Sequence, residues 1–330
     1  MNSFGRLFRL SIWGESHGEA VGVLIDGCPA GLPLAPDDFE PDLARRRPGR
    51  AGTTARRESD PVRLISGVFQ GKTTGAPLLI HLANQAADSS PYEEMKDTPR
   101  PGHADLSARI KFGGFQDYRG GGHFSGRLTA GLVAAGTVAK KLLPGVSFHA
   151  EILEIGGRRD YEELLAQAIA AGDSLGGLVE CRLAGLPAGL GEPFFDSVES
   201  LIGHLAFAVP AVKGVEFGDG FAGAGRRGSE YNDPILAADG RAASNHAGGV
   251  NGGLTNGNEV VFRVAVRPTA SIATPQPTID LATGRPAELT ITGHHDACIA
   301  LRFPVILEAV GAIVLADLLL LEQRIPRVWR

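Results

Sequence analysis

Two long stretches of this chain, residues 128–143 and 303–323, are apolar on almost every face of the helix that each predicts. The first is rich in alanine and glycine, and the second carries Glu308 and Asp317 within its apolar run. A membrane span needs about 20 mostly apolar residues, and charges inside it are costly. A helix that is apolar all round must be buried. We therefore predict two deeply buried core helices and no membrane contact.

The remaining segments predict a mixed set of elements. Alternating and β-branched runs predict strands at 7–12, 21–25, 62–69, 77–82, 178–183 and 259–266, and amphipathic runs predict helices at 36–46, 161–171 and 198–207. The first two strands flank a polar, glycine-bounded turn, which favours a hairpin. Helices and mostly antiparallel strands come in blocks rather than in strict alternation, which favours the α+β class. Because no low-complexity linker divides the sequence, we expect residues 1–330 to form a single domain.

One long segment, residues 85–100, shows no clear periodicity and is punctuated by prolines. Structureless segments of this length in a compact chain are usually functional or disordered. We therefore expect an ordered loop or lid here.

The charge balance limits the partners that this chain can have. The formal net charge is -5 and aromatic residues make up 6% of the chain, so neither a global basic field nor many stacking platforms are available for nucleic acid. Basic charge is local instead, in an arginine cluster between residues 45 and 63. Guanidinium groups suit bidentate capture of phosphate and carboxylate, although such a cluster can equally be a solvated face. A nucleic-acid-binding module is the alternative from another class, and we expect no nucleic-acid partner.

The cysteines and the N-terminal residues point to an intracellular protein. Cys28, Cys181 and Cys298 lie far apart, with neither the spacing of a metal site nor the even number of a disulfide framework. The first residues contain no long apolar core of the kind that a signal peptide needs. We therefore expect a cytoplasmic protein without a metal.

The stretch 101–127 contains most of the reactive side chains, around the triple glycine of residues 120–122. Glycine loses more conformational freedom on folding than any other residue, so such a run is kept where backbone must come close to another group, often a bound anion. Arginine, histidine and serine flank it and supply cations, donors and groups that titrate near neutral pH. This composition is typical of a site that holds an anion and moves protons.

Histidine recurs beside acids, hydroxyls or glycines in four loops, at His17, His103, His123 and the pair His294-His295. The pair lacks the helical spacing that places two imidazoles on one metal. Ser16 precedes His17 outside the G-x-S-x-G pattern of a serine nucleophile, and the sequence has neither a P-loop nor a Rossmann fingerprint. The residues alone predict a phosphate-handling enzyme with proton transfers, and they leave its substrate open.

Six motifs together resemble the chorismate synthase family, in order and over nearly the whole chain. They are GESHG (14–18), RRRPG (45–49), RPGHAD (100–105), DYRGGG (117–122), SNHAGG (244–249) and HD (295–296). The resemblance implies a β-α-β sandwich with buried helices between antiparallel sheets, usually assembled as a homotetramer. It also implies a lyase of the shikimate pathway, which converts 5-enolpyruvylshikimate 3-phosphate to chorismate and phosphate by a 1,4-anti elimination. That reaction needs reduced FMN without net redox change, with NADPH as an indirect reductant.

The resemblance also implies roles for three residues. His103 matches the family histidine that protonates the flavin, and His17 matches the one that donates a proton to the departing phosphate. Asp296 matches the residue that helps to take the C6 proton through flavin N5. Such roles need partly desolvated groups held close to their targets.

Binding residues follow from the same motifs. The family pattern implies flavin contacts at His123, Phe124, Ser125, Ala211, Gly252, Arg267, Pro268, Thr269, Ala270, Ser271 and His294. Arg46 and Arg50 match positions that bind NADP, and we expect them also to hold substrate carboxylate or phosphate. Ser16, Arg46, Arg47 and Arg127 are the expected substrate contacts.

Two positions depart from the commoner family pattern. His123 and His294 stand where arginine is usual, so a permanent cation is replaced by a titratable imidazole. The alternative within the family is therefore a member with reduced or lost activity that acts only as a flavin- or anion-binding protein.

Overall fold

The computed structural model describes residues 2–54, 56, 58–291 and 295–329. The strands are β1 (Ser3–Phe4), β2 (Arg9–Gly14), β3 (Ala20–Asp26), β4 (Val62–Ser66), β5 (Val68–Phe69), β6 (Lys72–Thr73), β7 (Leu78–Ala83), β8 (Ser147–Ile155), β9 (Gly177–Ala184), β10 (Val212–Phe217), β11 (Val250–Asn251), β12 (Leu254–Thr255), β13 (Val260–Val266), β14 (Gln276–Asp280) and β15 (Arg285–Leu289). The helices are α1 (Glu40–Arg46), α2 (Ser90–Met95), α3 (Asp105–Phe112), α4 (Thr129–Lys141), α5 (Glu162–Ala171), α6 (Val198–Ala208), α7 (Gly220–Gly223), α8 (Gly228–Tyr231) and α9 (Phe303–Leu321). Short 3-10 segments lie at Pro36–Phe39, Arg119–Phe124, Gly126–Leu128, Phe194–Asp196 and Ile299–Arg302.

Two antiparallel sheets enclose the core helices. One sheet has the strand order β1-β2-β3-β7-β4, and the other has the order β10-β13-β9-β8. Helix α4 packs on β3 and β7 of the first sheet, α9 packs on β8 and β9 of the second, and the two helices pack on each other. The β-α-β sandwich of the α+β class is thereby confirmed.

The core layers approach closely because glycine faces each contact. A β-carbon on Gly136 of α4 would lie 2.3 Å from the Ala309 side chain of α9, and one on Gly311 of α9 would lie 2.8 Å from the Leu183 side chain of β9. Interiors packed at this density do not accept an added methyl without displacement. The glycines of α4 and α9 therefore set the spacing between the two helices and between α9 and the second sheet.

Helix α9 is a core helix, as its sequence predicts. The run Ile299–Leu321 is long and apolar enough to cross a membrane, but 89% of its most apolar window is buried inside the protein. Its two acids are paired: Glu308 accepts hydrogen bonds from Arg45 and from Lys140. Asp317 accepts hydrogen bonds from the backbone N–H groups of residues 6–8. Buried acids with such partners are compatible with a protein core.

Two local expectations differ from the structure. Residues 85–100 are not a loop throughout, because α2 occupies Ser90–Met95. Helix α3 begins at Asp105, the last residue of the RPGHAD motif, which was expected to lie in a loop. Both helices are short and polar, so an amphipathic period could not develop within them.

Candidate active site

A cleft of about 570 Å³ lies at the N-terminal ends of α4 and α9. The partial positive charge at the start of a helix favours bound anions. Described residues that were predicted from sequence and that line this cleft are His17, His103, Asp296, Ser16, Arg46, Phe124, Ser125, Arg127, Ala211, Arg267, Thr269, Ala270 and Ser271. The fold therefore brings together side chains that are nearly 300 positions apart in the chain.

The triple glycine shapes one wall of the cleft. Gly120, Gly121 and Gly122 all have positive φ values, 59°, 80° and 53°. A β-carbon on Gly120 would lie 2.2 Å from Cδ2 of His17, and one on Gly121 would lie 3.0 Å from Cε1 of His103. The close backbone approach that the sequence predicted is thus to the two imidazole rings, and one loop holds both of them at the cleft.

His17 sits in a partly buried, cationic environment. Its Nδ1 lies 3.0 Å from the Ser89 hydroxyl, and its ring meets the Tyr92 ring edge to face at 5.1 Å. Burial lowers the pKa of His17 below its usual value, and the nearby guanidiniums of Arg56 and Arg119 lower it further. His17 is therefore mostly neutral near pH 7 when no anion is bound.

His103 is held by a carboxylate and a guanidinium. Its Nδ1 lies 2.6 Å from Oδ1 of Asp105, and Arg100 forms an ion pair with Asp105 at 2.7 Å. Burial alone would raise the pKa of the Asp105 carboxyl, but hydrogen bonds from Arg100 and His103 hold it well below its usual range. Asp105 is therefore ionised near neutral pH.

Asp296 lies on the far side of the cleft, just before α9. Its Oδ1 accepts a hydrogen bond from the backbone N–H of Thr54 at 2.8 Å, and its Oδ2 accepts one from Arg302 at 3.2 Å. These two contacts fix the plane of the carboxylate and keep it available to the cleft.

The arginines of the RRRPG motif have different surroundings. Arg46 is 1% exposed, and its NH2 donates to the buried carboxylate of Asp60 at 3.0 Å. Its Nε and NH1 have no hydrogen-bond partner among the described residues. Burial, followed by the charge of Arg302, lowers the pKa of Arg46 to about 9, although Asp60 opposes this. Arg46 is also among the residues that line the cleft, where its positive charge suits an anion.

Arg47 and Arg50 are not among the residues that line the described cleft, so their predicted roles in binding stay predictions. Arg47 forms a bidentate pair with Glu40, with distances of 2.6 and 2.7 Å. Adjacent residues at a helix end point about 100° apart. Arg46 at the end of α1 is therefore buried, whereas Arg47 is partly exposed, with its Nε 4.0 Å from Oδ2 of Asp60.

Arg127 lines the cleft but donates mainly to the protein. Its NH1 pairs with Asp60, and its Nε donates to the side-chain oxygen of Asn84 at 3.0 Å. Ser16 is 2% exposed, and its hydroxyl accepts a hydrogen bond from Arg56 at 3.1 Å. We therefore expect both residues to shape the wall of the site.

Three of the predicted flavin contacts lie outside the described cleft lining. Nδ1 of His123 lies 2.8 Å from the carbonyl oxygen of Gly14, so this ring is tied to β2. Gly252 lies between β11 and β12, and Pro268 is absent from the lining although its neighbours are present. Alternating residues of an extended segment face opposite sides, which explains why Pro268 is absent while Arg267 and Thr269 are present. His294 lies outside the described residues.

Sequence reasoning missed several residues of the site. Arg100 donates to the Ser271 hydroxyl at 3.2 Å, and its guanidinium lies 5.9 Å from the Tyr92 ring centre. Arg302 pairs with Asp296 at 3.2 Å. Arg100 was visible in the RPGHAD motif but was given no role, while Tyr92 and Arg302 lie outside the six motifs.

Fold and cleft together define a class of protein: an α+β sandwich enzyme with an anion-binding cleft that carries two imidazoles and a carboxylate. The family model described as chorismate synthase matches residues 8–320. The chain belongs to the chorismate synthase family. It is therefore a lyase of the shikimate pathway, in the biosynthesis of aromatic amino acids.

Individual relatives agree with this assignment. A chorismate synthase of Chitinophaga pinensis is 59% identical over 331 residues, covering 100% of both chains. One of Korarchaeum cryptofilum is 46% identical and covers 97% of this chain and 98% of its own. A crystal structure of chorismate synthase superposes with a TM-score of 0.74 at 27% identity, covering 97% of this chain and 93% of that chain.

Proposed function

We propose that this chain converts 5-enolpyruvylshikimate 3-phosphate to chorismate and phosphate in the cleft at the start of α4 and α9, with reduced FMN bound beside the substrate. The observation that carries this proposal is that His17, His103 and Asp296 line the same cleft as the guanidinium group of Arg46. Proton-transfer groups and a cation for the anionic substrate then share one cleft, which is what a phosphate elimination needs.

The residues present fit a flavin. The cleft of about 570 Å³ falls within the range of roughly 300–1,000 Å³ that small-molecule sites occupy. The residues that would hold the cofactor all line the cleft: Phe124, Ser125, Ala211, Arg267 and residues 269–271. Arg100 connects Ser271 of this set to His103. Reduced FMN, when bound, supplies electron density that helps phosphate to leave and recovers that density as the C6 proton is lost.

The chain's own residues then divide the proton transfers between them. Nδ1 of His17 faces the Ser89 hydroxyl, so Nε2 is the nitrogen that donates a proton to the departing phosphate. His103 supplies a proton at the cofactor side of the cleft, and Asp296 is the final acceptor for the proton that leaves C6. Arg46, Arg56 and Arg302 balance the negative charge of the substrate.

Binding of 5-enolpyruvylshikimate 3-phosphate with oxidised FMN, which permits no turnover, is expected to take up a fraction of a proton per site near pH 7. The pKa of His17 is lowered in the free protein, and a phosphate dianion beside the ring would raise it, so the ring gains a proton on binding. Calorimetric titrations in two buffers of different ionisation enthalpy measure this uptake. His17→Gln should abolish most of it, while the exposed His149→Ala should not. Proton release, or equal uptake by His17→Gln, contradicts the assignment.

Replacing Gly120 with alanine is expected to lower kcat by about tenfold to a hundredfold, because the new methyl would displace His17 and small misplacements of a reacting group are costly. Gly284→Ala is the matched control: it has a similar φ of 70°, but its β-carbon would meet nothing within 4 Å. Steady-state kinetics of both variants separate loss of position from backbone strain. Equal kcat values for the two variants would show that the contact with His17 does not matter.

Further features of the proposal follow from the family. We expect a homotetramer, a single domain over residues 1–330 and a cytoplasmic location. We also expect NADPH to act indirectly, by reducing the flavin in a separate reaction. Phe194 and Phe195, which are 85% and 91% exposed, support subunit contacts, because large exposed apolar groups are typical of interfaces.

The test is an anaerobic assay of 5-enolpyruvylshikimate 3-phosphate with dithionite-reduced FMN, following the absorbance of chorismate. Turnover with reduced FMN and none with oxidised FMN is the expected result. Binding of FMN and substrate without turnover under reducing conditions would instead identify a family member that has kept only the binding function. Turnover without FMN would overturn the cofactor assignment.

A further inference from the structure

We propose that Asp105 is a positioning residue that fixes the ring proton of His103 on Nδ1, and so makes Nε2 the nitrogen that exchanges a proton in the cleft. The inference rests on the proposed role of His103 and goes beyond it, because it assigns the tautomer and the residue that selects it. Asp105 is the first residue of α3, so the carboxylate that selects the tautomer is held by a helix.

The tautomer follows from the hydrogen-bonding capacity of the groups around the ring. Asp105 is ionised, and an ionised carboxylate only accepts hydrogen bonds. Since Oδ1 of Asp105 lies 2.6 Å from Nδ1 of His103, Nδ1 must carry the proton and donate it. A short contact of this kind is typical of charge-assisted hydrogen bonds.

Arg100 lies against the face of the same ring. Its NH2 lies 3.1 Å from Nδ1 and 3.3 Å from Nε2 of His103. A guanidinium only donates hydrogen bonds, and Nδ1 has no free lone pair when it is protonated. The guanidinium is nearly equidistant from the two ring nitrogens, so it is in line with neither lone pair, and Asp105 alone selects the tautomer. The charged groups that face the ring are thus Asp105 and Arg100, and Gly121 packs against it from the glycine loop.

The carboxylate is itself locked in place. Oδ2 of Asp105 accepts hydrogen bonds from both the backbone N–H and Nε of Arg100, at 3.1 and 2.7 Å. Oδ1 accepts a further one from NH2 of Arg100 at 2.8 Å. The Asp105 carboxylate therefore cannot rotate without breaking its hydrogen bonds with Arg100, and the orientation of His103 is fixed together with it.

This geometry makes Asp105→Asn an informative substitution. Arg100 places two donors at Oδ2 and one at Oδ1, so the amide nitrogen of the new side chain is placed at the Oδ1 position, where it costs one Arg100 hydrogen bond instead of two. There it faces Nδ1 of His103. An amide NH₂ only donates, so Nδ1 must then accept and the proton must move to Nε2. The substitution therefore reverses the tautomer with little change in shape.

The experiment combines NMR with kinetics on the full chain. Long-range ¹H–¹⁵N spectra of histidine-labelled protein, with oxidised FMN and without it, report which nitrogen of each of the nine histidines carries a proton, and His103→Gln identifies the signal of His103. We expect the Nδ1–H tautomer in the unchanged protein and Nε2–H in Asp105→Asn. We also expect kcat to fall by between about tenfold and 10⁴-fold, the larger figure being the cost of a wrong imidazole tautomer in serine proteases, while KM changes little.

Two further variants complete the test. Asp97 pairs with Arg109 at 2.7 Å without a histidine, so Asp97→Asn should leave both the His103 spectrum and kcat unchanged. Asp105→Glu keeps a carboxylate, so it should keep the Nδ1–H tautomer and recover part of kcat. This variant tests the proposal if Asp105→Asn does not fold. An unchanged His103 tautomer in Asp105→Asn overturns the proposal, as does an Nε2–H tautomer in Asp105→Glu. Full activity of His103→Ala would instead overturn the role of His103, while the spectra would still decide what Asp105 does.

Discussion

His103→Ala and Asp296→Ala are each expected to lower kcat for chorismate formation by about 10²- to 10⁴-fold, the range that a positioned acid or base contributes. Each side chain lines the cleft and is held by partners that alanine cannot replace: Asp105 and Arg100 for His103, and Arg302 with the Thr54 backbone for Asp296. Stopped-flow absorbance under anaerobic conditions, with saturating reduced FMN, separates the loss of kcat from a loss of binding.

Matched controls lie far from the cleft. His149 is exposed on β8, and Asp26 pairs with Arg9 on the outer side of the first sheet, so His149→Ala and Asp26→Ala should keep nearly full activity. Retention of nearly full kcat by both His103→Ala and Asp296→Ala would show that their roles are wrongly assigned, even though the family is right. Loss in only one of them would limit the correction to the other.

The architecture was predictable because the two core helices have an unusual composition. A helix that is apolar on all sides has no face that can be exposed to solvent, so other elements must cover it on both sides. The predicted ranges 128–143 and 303–323 contain α4 and α9, which end two residues earlier than expected. The hairpin of β2 and β3 was equally predictable, since its strands and turn are adjacent in the chain.

The identity of the cleft residues came from motifs, and the motifs could not show how the site is built. The triple glycine predicted a close approach of backbone, but nothing local says that the neighbours are His17 and His103. Arg46 and Arg47 are equivalent in the sequence, and only the end of α1 makes Arg46 fully buried and leaves Arg47 partly exposed. Contacts between residues distant in sequence depend on the folded arrangement, which periodicity and spacing do not describe.

A buried charge triad supports the wall of the cleft. Asp60 is 1% exposed, and its carboxylate pairs with the guanidiniums of Arg46 and Arg127, both buried. Burial opposes ionisation of Asp60, but the charges of Arg46 and Arg127 hold the pKa of its carboxyl below its ordinary value of 3.8. Its contribution to stability is therefore complete above that value and is lost as the pH falls through the lower pKa of the folded state.

Asp60→Asn is expected to lower the free energy of unfolding by about 3–5 kcal/mol, because it leaves two buried guanidiniums without their counter-charge. Asparagine has the same shape and tolerates the left-handed φ of 52° at this position, so the change removes charge with little backbone strain. Urea unfolding at one fixed protein concentration and neutral pH measures the loss. Asp26→Asn is the control, since its partner Arg9 is 56% exposed and such surface pairs contribute about 0–1 kcal/mol. If Asp60→Asn costs no more than this control, Arg46 and Arg127 do not depend on Asp60, and the wall of the cleft must be held by other contacts.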